Sequence, residues 1–248
     1  MRVAVISDTH GNVHALRAVL AEVDARGPWD RIVMGGDIAF GGPFPGECID
    51  LLRARGVPAL RGNTDEAIVE LARGPVAAWA DEEGHAPHSA EPDERGQWAL
   101  AHLSDEQIDY LAGLPLRIEL GGGDVPRLTV VHATPWSPYP AVQPHAPEEV
   151  AARLLDAAGS QALAYGHIHV QYARPVDGRL LVAVGSVGLP FDGSPDADYA
   201  EFASGPSGWA VELRSVRYDT APVVAAAEER GLPGVENIVA RLRGGESG

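Results

Sequence analysis

Asp8 and His10 in "ISDTHGN", and His167 and His169 in "LAYGHIH", form two pairs of metal-binding side chains spaced two residues apart. Each pair follows a short apolar run. In an extended chain residues i and i+2 face the same side, so each pair is expected to converge on one pocket. Three more apolar runs end in polar residues: Asp37 in "VMGGDIAFGG", Asn63 in "ALRGNTDE" and His132 in "LTVVHATP". Singly, each has an ordinary structural use. Asp8 and Asn63 could cap helices, Asp37 could hold a turn, and His132 could be a hydrogen-bonded core imidazole. Together the seven offer imidazole nitrogens with carboxylate or amide oxygens and no thiolate, a set suited to Mn, Fe or Zn. That is too many ligands for one ion, but it fits two ions that share a carboxylate.

The elements that must carry these residues are legible in the hydrophobic pattern. "VAVIS" and "RIVM" are short continuous apolar runs around Val13, Leu16, Leu20 and Val23 at helical spacing, which predicts a βαβ beginning. Pro45 opens a helix through "ECIDLLRAR", "VPALR" reads as a third strand, and "TDEAIVELAR" as a further helix capped by Asn63 with Glu66 reaching back. Residues 74 to about 114 read as a surface insertion of loop and helix, with a capping signature from Ser104 to Gln107. The acidic "ADEEGHAPHSAEPDE" within it is a solvated loop or a lid. "LRIEL" and "RLTVV" flank "GGGDVP" as a hairpin, and Asp177-Gly178 joins "VQYARPV" to "RLLVAVG" as another. Strand-rich sequence follows, then two short helices. Otherwise residues 1–248 read as one domain. In α/β sheets, ligands collect beyond the carboxyl ends of strands, where these polar residues sit.

Acidic residues outnumber basic ones 35 to 19, for a formal net charge of −16, so a surface of this sign does not attract nucleic acid. Every basic residue is Arg. This excludes P-loop, Schiff-base and bridging carbamylated lysines. Cys48 stands alone within a helical pattern and reads as a small buried apolar residue. With no signal peptide and no membrane-length apolar run, the sequence predicts a cytoplasmic protein that makes no membrane contact.

In order, "DTHGN", "GGD", "GNTD", "VHA" and "GHIH" resemble the calcineurin-like metallophosphoesterase superfamily, over about two thirds of the chain from Asp8 to His169. "GSVGLP" and "DYA" further along resemble its small bacterial members, often compared with phosphodiesterases. The resemblance implies a four-layer αββα sandwich of two mixed sheets flanked by helices. It also implies a role for each residue. Asp8, His10 and His169 would hold one ion, Asn63, His132 and His167 the other, and Asp37 would bridge them. Two such cations about 3.5–4 Å apart lower the pKa of a bridging water enough to give hydroxide near neutral pH, and they clamp the phosphoryl oxygens. The function expected is hydrolysis of phosphodiesters or activated phosphomonoesters, a nucleotide among the small substrates considered. The alternative is a metal-binding regulatory or interaction module with little turnover. A dinuclear amidohydrolase expects H-x-H on the first strand and commonly a lysine bridge, which this chain lacks.

One position departs from the family pattern. Thr64 stands where the motif usually has the histidine that protonates the leaving group, while Asp65, its usual acidic support, remains. A hydroxyl is a poor proton donor at neutral pH, so a rate contribution of about 10²–10⁴-fold is expected to be missing. His14, His85, His88 and His145 are candidate substitutes, each more simply read as a surface histidine. Trp136 and Tyr139, on the long Pro-rich loop after His132, are candidates to stack on a substrate ring or simply to pin their loop.

Overall fold

The computed structural model describes residues 1–74 and 94–243. Two sheets pack face to face. The first has the order β2-β1-β8-β9, built from β1 (Arg2–Ile6), β2 (Arg31–Met34), β8 (Ala197–Gly205) and β9 (Gly208–Val216). The second has the order β3-β4-β5-β7-β6, from β3 (Arg117–Gly122), β4 (Val125–Val131), β5 (Ala162–Tyr165), β6 (Gln171–Val176) and β7 (Arg179–Val184). Both are mixed. β1 runs parallel to β2 and antiparallel to β8, and β5 runs parallel to β4 and β7 while β3 and β6 lie antiparallel at the edges.

The period of two in a strand distributes the core among three layers. Val3 and Val5 face inward and join Val130, Ala164, Val182 and Phe202 between the sheets. Ala4 and Ile6, on the opposite face of β1, pack under α1 (Val13–Arg26), α2 (Pro45–Ala54), α3 (Asn63–Arg73) and α5 (Asp105–Ala112). On the far side, Leu163, Tyr165 and Leu181 pack against Leu154 and Leu155 of α6 (Glu148–Ala158). The architecture is the four-layer αββα sandwich. α4 (Glu94–Ala101) and α5 lie against α3, with Ala99 and Leu111 fully buried, while α7 (Ala221–Glu229) and α8 (Val235–Leu242) form a smaller apolar cluster of their own. Cys48 is fully buried, and burial pushes its thiol up, away from thiolate chemistry. No helix among the described residues is long and apolar enough to cross a membrane.

Two sequence expectations need correction. The run "VPALR" is not a strand: only Ala59 bridges to Met34, and by Arg61 the backbone has left β2, its N–H donating to Pro115 O at 2.8 Å. Asn63 is not the helix cap either. Gly62 holds that position, and Asp65 rather than Glu66 reaches back to the cap N–H, at 3.0 Å.

Candidate metal centre

Every residue of the seven lies just past the carboxyl end of a strand or at a helix start at the same pole of the sandwich. β1 leads to Asp8 and His10, β2 to Asp37, β4 to His132, β5 to His167 and His169, and α3 begins at Asn63. The pairs converge, though not by strand alternation. Asp8, His10, Asp37, His167 and His169 all have left-handed backbone, with φ between 45° and 66°. Sharp turns rather than extended chain therefore aim these side chains. They persist because neighbouring segments fix both ends: Asp8 N–H donates to Gly36 O at 2.9 Å, His10 N–H to Asp37 O at 3.0 Å, and Gly188 N–H to Asp8 O at 2.9 Å. Gly166 allows the two sheets to meet here, since a Cβ on it would strike Ser7 Oγ and Asp8 Oδ2.

The side chains form two groups. Asp8, His10, Asp37 and His169 each place a ligand atom within 4.8 Å of the others, and all four are buried. In the second group Asn63 Oδ1 lies 2.9 Å from His132 Nε2 and 3.0 Å from His167 Nδ1. Asp37 stands between them. Its Oδ2 is 3.6 Å from His10 Nε2, and its Oδ1 is 3.4 Å from His132 Nε2.

The tautomers fit a cation. His10 Nδ1 donates to Phe40 O at 2.7 Å and His169 Nδ1 to Leu189 O at 2.6 Å, because a carbonyl can only accept. In the neutral rings this leaves both Nε2 lone pairs facing each other across 3.0 Å, an arrangement that a proton or a cation must bridge. His132 repeats the pattern, with Nδ1 donating to Gly35 O at 2.9 Å and Nε2 turned to the Asn63 oxygen. Imidazoles held through one nitrogen by a carbonyl are oriented for metal through the other.

The same crowding governs proton affinities. Burial opposes ionisation of Asp8, but the charge of His169 and hydrogen bonds from His10 and His169 hold its carboxyl well below the usual carboxylate range. Asp37 is held down likewise, burial being outweighed by His132 and His10. Burial alone would lower His132; the adjacent Asp37 charge and hydrogen bond instead push it to about 9. His10 is raised too, against burial, by its bond to Asp8 and the charges of Asp37 and Asp8. His167 drops to about 4 through burial and the neighbouring His132 charge.

Asp65 sits beneath the centre. Its carboxylate accepts the N–H groups of Asp37 at 2.8 Å, Ile38 at 2.8 Å and Gly62 at 3.0 Å, tying the loop after β2 to the start of α3. Burial first and the Asp37 charge second raise it to about 6. Thr64 gives the centre its backbone N–H, which donates to Asp37 Oδ1 at 2.9 Å, while its hydroxyl is buried without a hydrogen-bond partner among the described residues.

Residues 1–203 match the family model of the calcineurin-like phosphoesterase superfamily domain. The chain belongs to that superfamily. A metallophosphoesterase of Sphaerobacter thermophilus, known from its crystal structure, is 30% identical over 98% of both chains, with a TM-score of 0.74. A hypothetical protein of Pyrococcus horikoshii OT3 shares the fold, with a TM-score of 0.79 at 20% identity over 99% of both chains. An uncharacterized protein of Methanocaldococcus jannaschii is 26% identical over 257 residues, 93% of each chain.

Within this superfamily member, the other sequence candidates among the described residues fall outside the centre. His14 packs against Phe44, with ring centroids 5.3 Å apart, and His145 is exposed on its loop. His85, His88 and the acidic loop lie outside the described residues. Tyr139 O–H donates to Glu66 Oε1 at 3.1 Å and Trp136 packs with the α6 cluster, so both pin the Pro-rich loop. Sequence reasoning missed Ser186, whose Oγ donates to Asp8 O at 2.9 Å and accepts Leu189 N–H at 2.8 Å. The "GSVG" run carried the only signal: a Ser between glycines at the end of an apolar strand.

Proposed function

We propose that the chain is a dinuclear metal-dependent phosphoesterase that hydrolyses phosphodiesters or activated phosphomonoesters. The observation that carries this reading is the division of Asp37, one carboxylate oxygen turned to each ligand group. Asp8, His10 and His169 would hold one ion, and Asn63, His132 and His167 the other. Two bound cations would supply Lewis acidity, activating water at neutral pH and clamping the phosphoryl oxygens. Mn, Fe and Zn all suit the donor set.

The chain's own groups do the rest. Asn63 would ligate without adding negative charge to a site that must accept an anion. Asp65 is a positioning residue, holding Asp37 and the start of α3 in register through three backbone N–H groups. With the Thr64 hydroxyl finding no hydrogen-bond partner among the described residues, departure of the leaving group would depend on its own acidity, which favours diesters and activated monoesters. The substrate is a small phosphate ester, with nucleotides in the class, and the single buried thiol suits a reducing cytoplasm.

The threonine at position 64 favours a second reading, a metal-binding regulatory or interaction module with little turnover. Hydrolysis of bis-p-nitrophenyl phosphate with added Mn²⁺ separates the two. The enzyme reading expects turnover that Asp37→Asn lowers by at least about a hundredfold. Absence of turnover on any mono- or diester by manganese-loaded protein, with Asp37→Asn changing nothing, would remove the enzyme reading.

A further inference from the structure

α7 and α8 follow the residues that match the family model and lie against the segment that leads into α2. They are fastened beside it. Arg230 donates to Pro43 O at 2.7 Å, pairs with Glu47 at 3.1 Å and stacks over Phe44 with its guanidinium carbon 4.7 Å from the ring centroid. Trp98 Nε1 donates to Arg230 O at 3.2 Å. Ile238 and Leu242, one helical turn apart, seat α8 in its apolar cluster, and Arg241, three residues past Ile238, falls at the edge of that buried face.

The Arg241 guanidinium carbon stands 4.0 Å from the centroid of the Phe191 ring. Phe191 in turn packs on the His169 imidazole, with centroids 4.2 Å apart, and its N–H donates to His169 O at 3.1 Å. The guanidinium is therefore within the sum of those two ring distances of a candidate metal ligand. Phe191 is 45% exposed, so the stack forms an open rim. Arg241 makes no ion pair or side-chain hydrogen bond with another described residue. Stacking holds a guanidinium by its face and leaves its in-plane N–H donors available for a bidentate anion. In a chain of net charge −16, a guanidinium without a carboxylate partner among the described residues, beside an anion-processing centre, offsets the general repulsion there. Through Phe191 the guanidinium reaches the His169 side of the centre.

We infer that Arg241, positioned by Phe191, grips a second anionic group of the substrate, so that the ester processed carries a further phosphate or carboxylate close to the reacting phosphoryl group. This rests on the phosphoesterase reading of the centre. Calorimetric binding of two non-hydrolysable probes to the manganese-loaded protein tests it: methylphosphonate has one anionic group, and phosphonoacetate adds a carboxylate. The native protein should bind phosphonoacetate more tightly. Arg241→Gln should weaken phosphonoacetate about tenfold and leave methylphosphonate within about twofold, with manganese stoichiometry and melting temperature unchanged. Arg241→Lys, which keeps the charge without the fork, should fall between them, and it serves the same comparison if the glutamine variant fails to fold. Equal losses for both probes, or no loss for either, would overturn the assignment of Arg241. Failure of the native protein to bind either probe would instead remove the phosphoesterase reading.

Discussion

Thr64 shows how a residue can give a candidate centre its backbone while its side chain stays unengaged among the described residues. Its N–H holds Asp37, but its hydroxyl finds no partner among the described residues. Thr64→His should therefore restore a proton donor, raising kcat/KM on monoesters with poor leaving groups about tenfold or more, and on diesters less. Parallel assays on an alkyl phosphate and bis-p-nitrophenyl phosphate would check this; equal effects on both would remove the leaving-group role. At this scale the candidate ligands were readable from the chain because each is a polar residue punctuating an apolar run. The place of Asp65 was not. Two of its three partners, Asp37 N–H and Ile38 N–H, lie 28 and 27 residues away, and no local pattern announces a carboxylate that serves another segment's backbone.

The elements were legible wherever the pattern was local. The hairpin at Asp177-Gly178 and the βαβ start follow from turn chemistry and apolar period alone. The start of α3 was misplaced by one residue because two side chains there could cap. Asp65 takes the Gly62 N–H, which frees Asn63 to face His132 and His167. Gly62 itself has no room for a side chain, since a Cβ would fall on Asp37 Oδ1 and crowd Asp37 N. Gly62→Ala is expected to destabilise the fold by about 1–3 kcal/mol through overpacking. By displacing Asp37 it should also reduce bound manganese, as melting of the metal-free protein and metal analysis of the loaded protein would show. Full manganese content in this variant would mean that Asp37 is not confined by the start of α3.

For the whole molecule, the centre links stability to pH, and bound metal is expected to reverse the sign. In the metal-free protein His132 is raised to about 9 by Asp37, from an ordinary value of 6.5. Its contribution is complete below the unfolded value and is lost as pH rises through about 9, amounting to the order of 3 kcal/mol. His10, raised as well, acts in the same direction. Metal-free protein should accordingly melt at lower temperature at pH 9 than at pH 6.5. Loaded protein, whose ligands must be neutral imidazoles, should be destabilised only as pH falls below that range. Melting curves of both forms across the interval would show the opposite slopes, and parallel slopes would mean that His132 is not the group exchanging proton for metal.

The left-handed backbone at Asp8, His10, Asp37, His167 and His169 sets the cost of this arrangement. Glycine would adopt each of those angles without strain, whereas an L-residue with a side chain gives up about 1–2 kcal/mol there. Five such residues at one pole make it a reservoir of misfit in an otherwise regular sandwich. Selection for thermal robustness and selection for catalysis therefore pull in opposite directions at the same five codons, and a lineage released from the need for metal would be expected to drift there first.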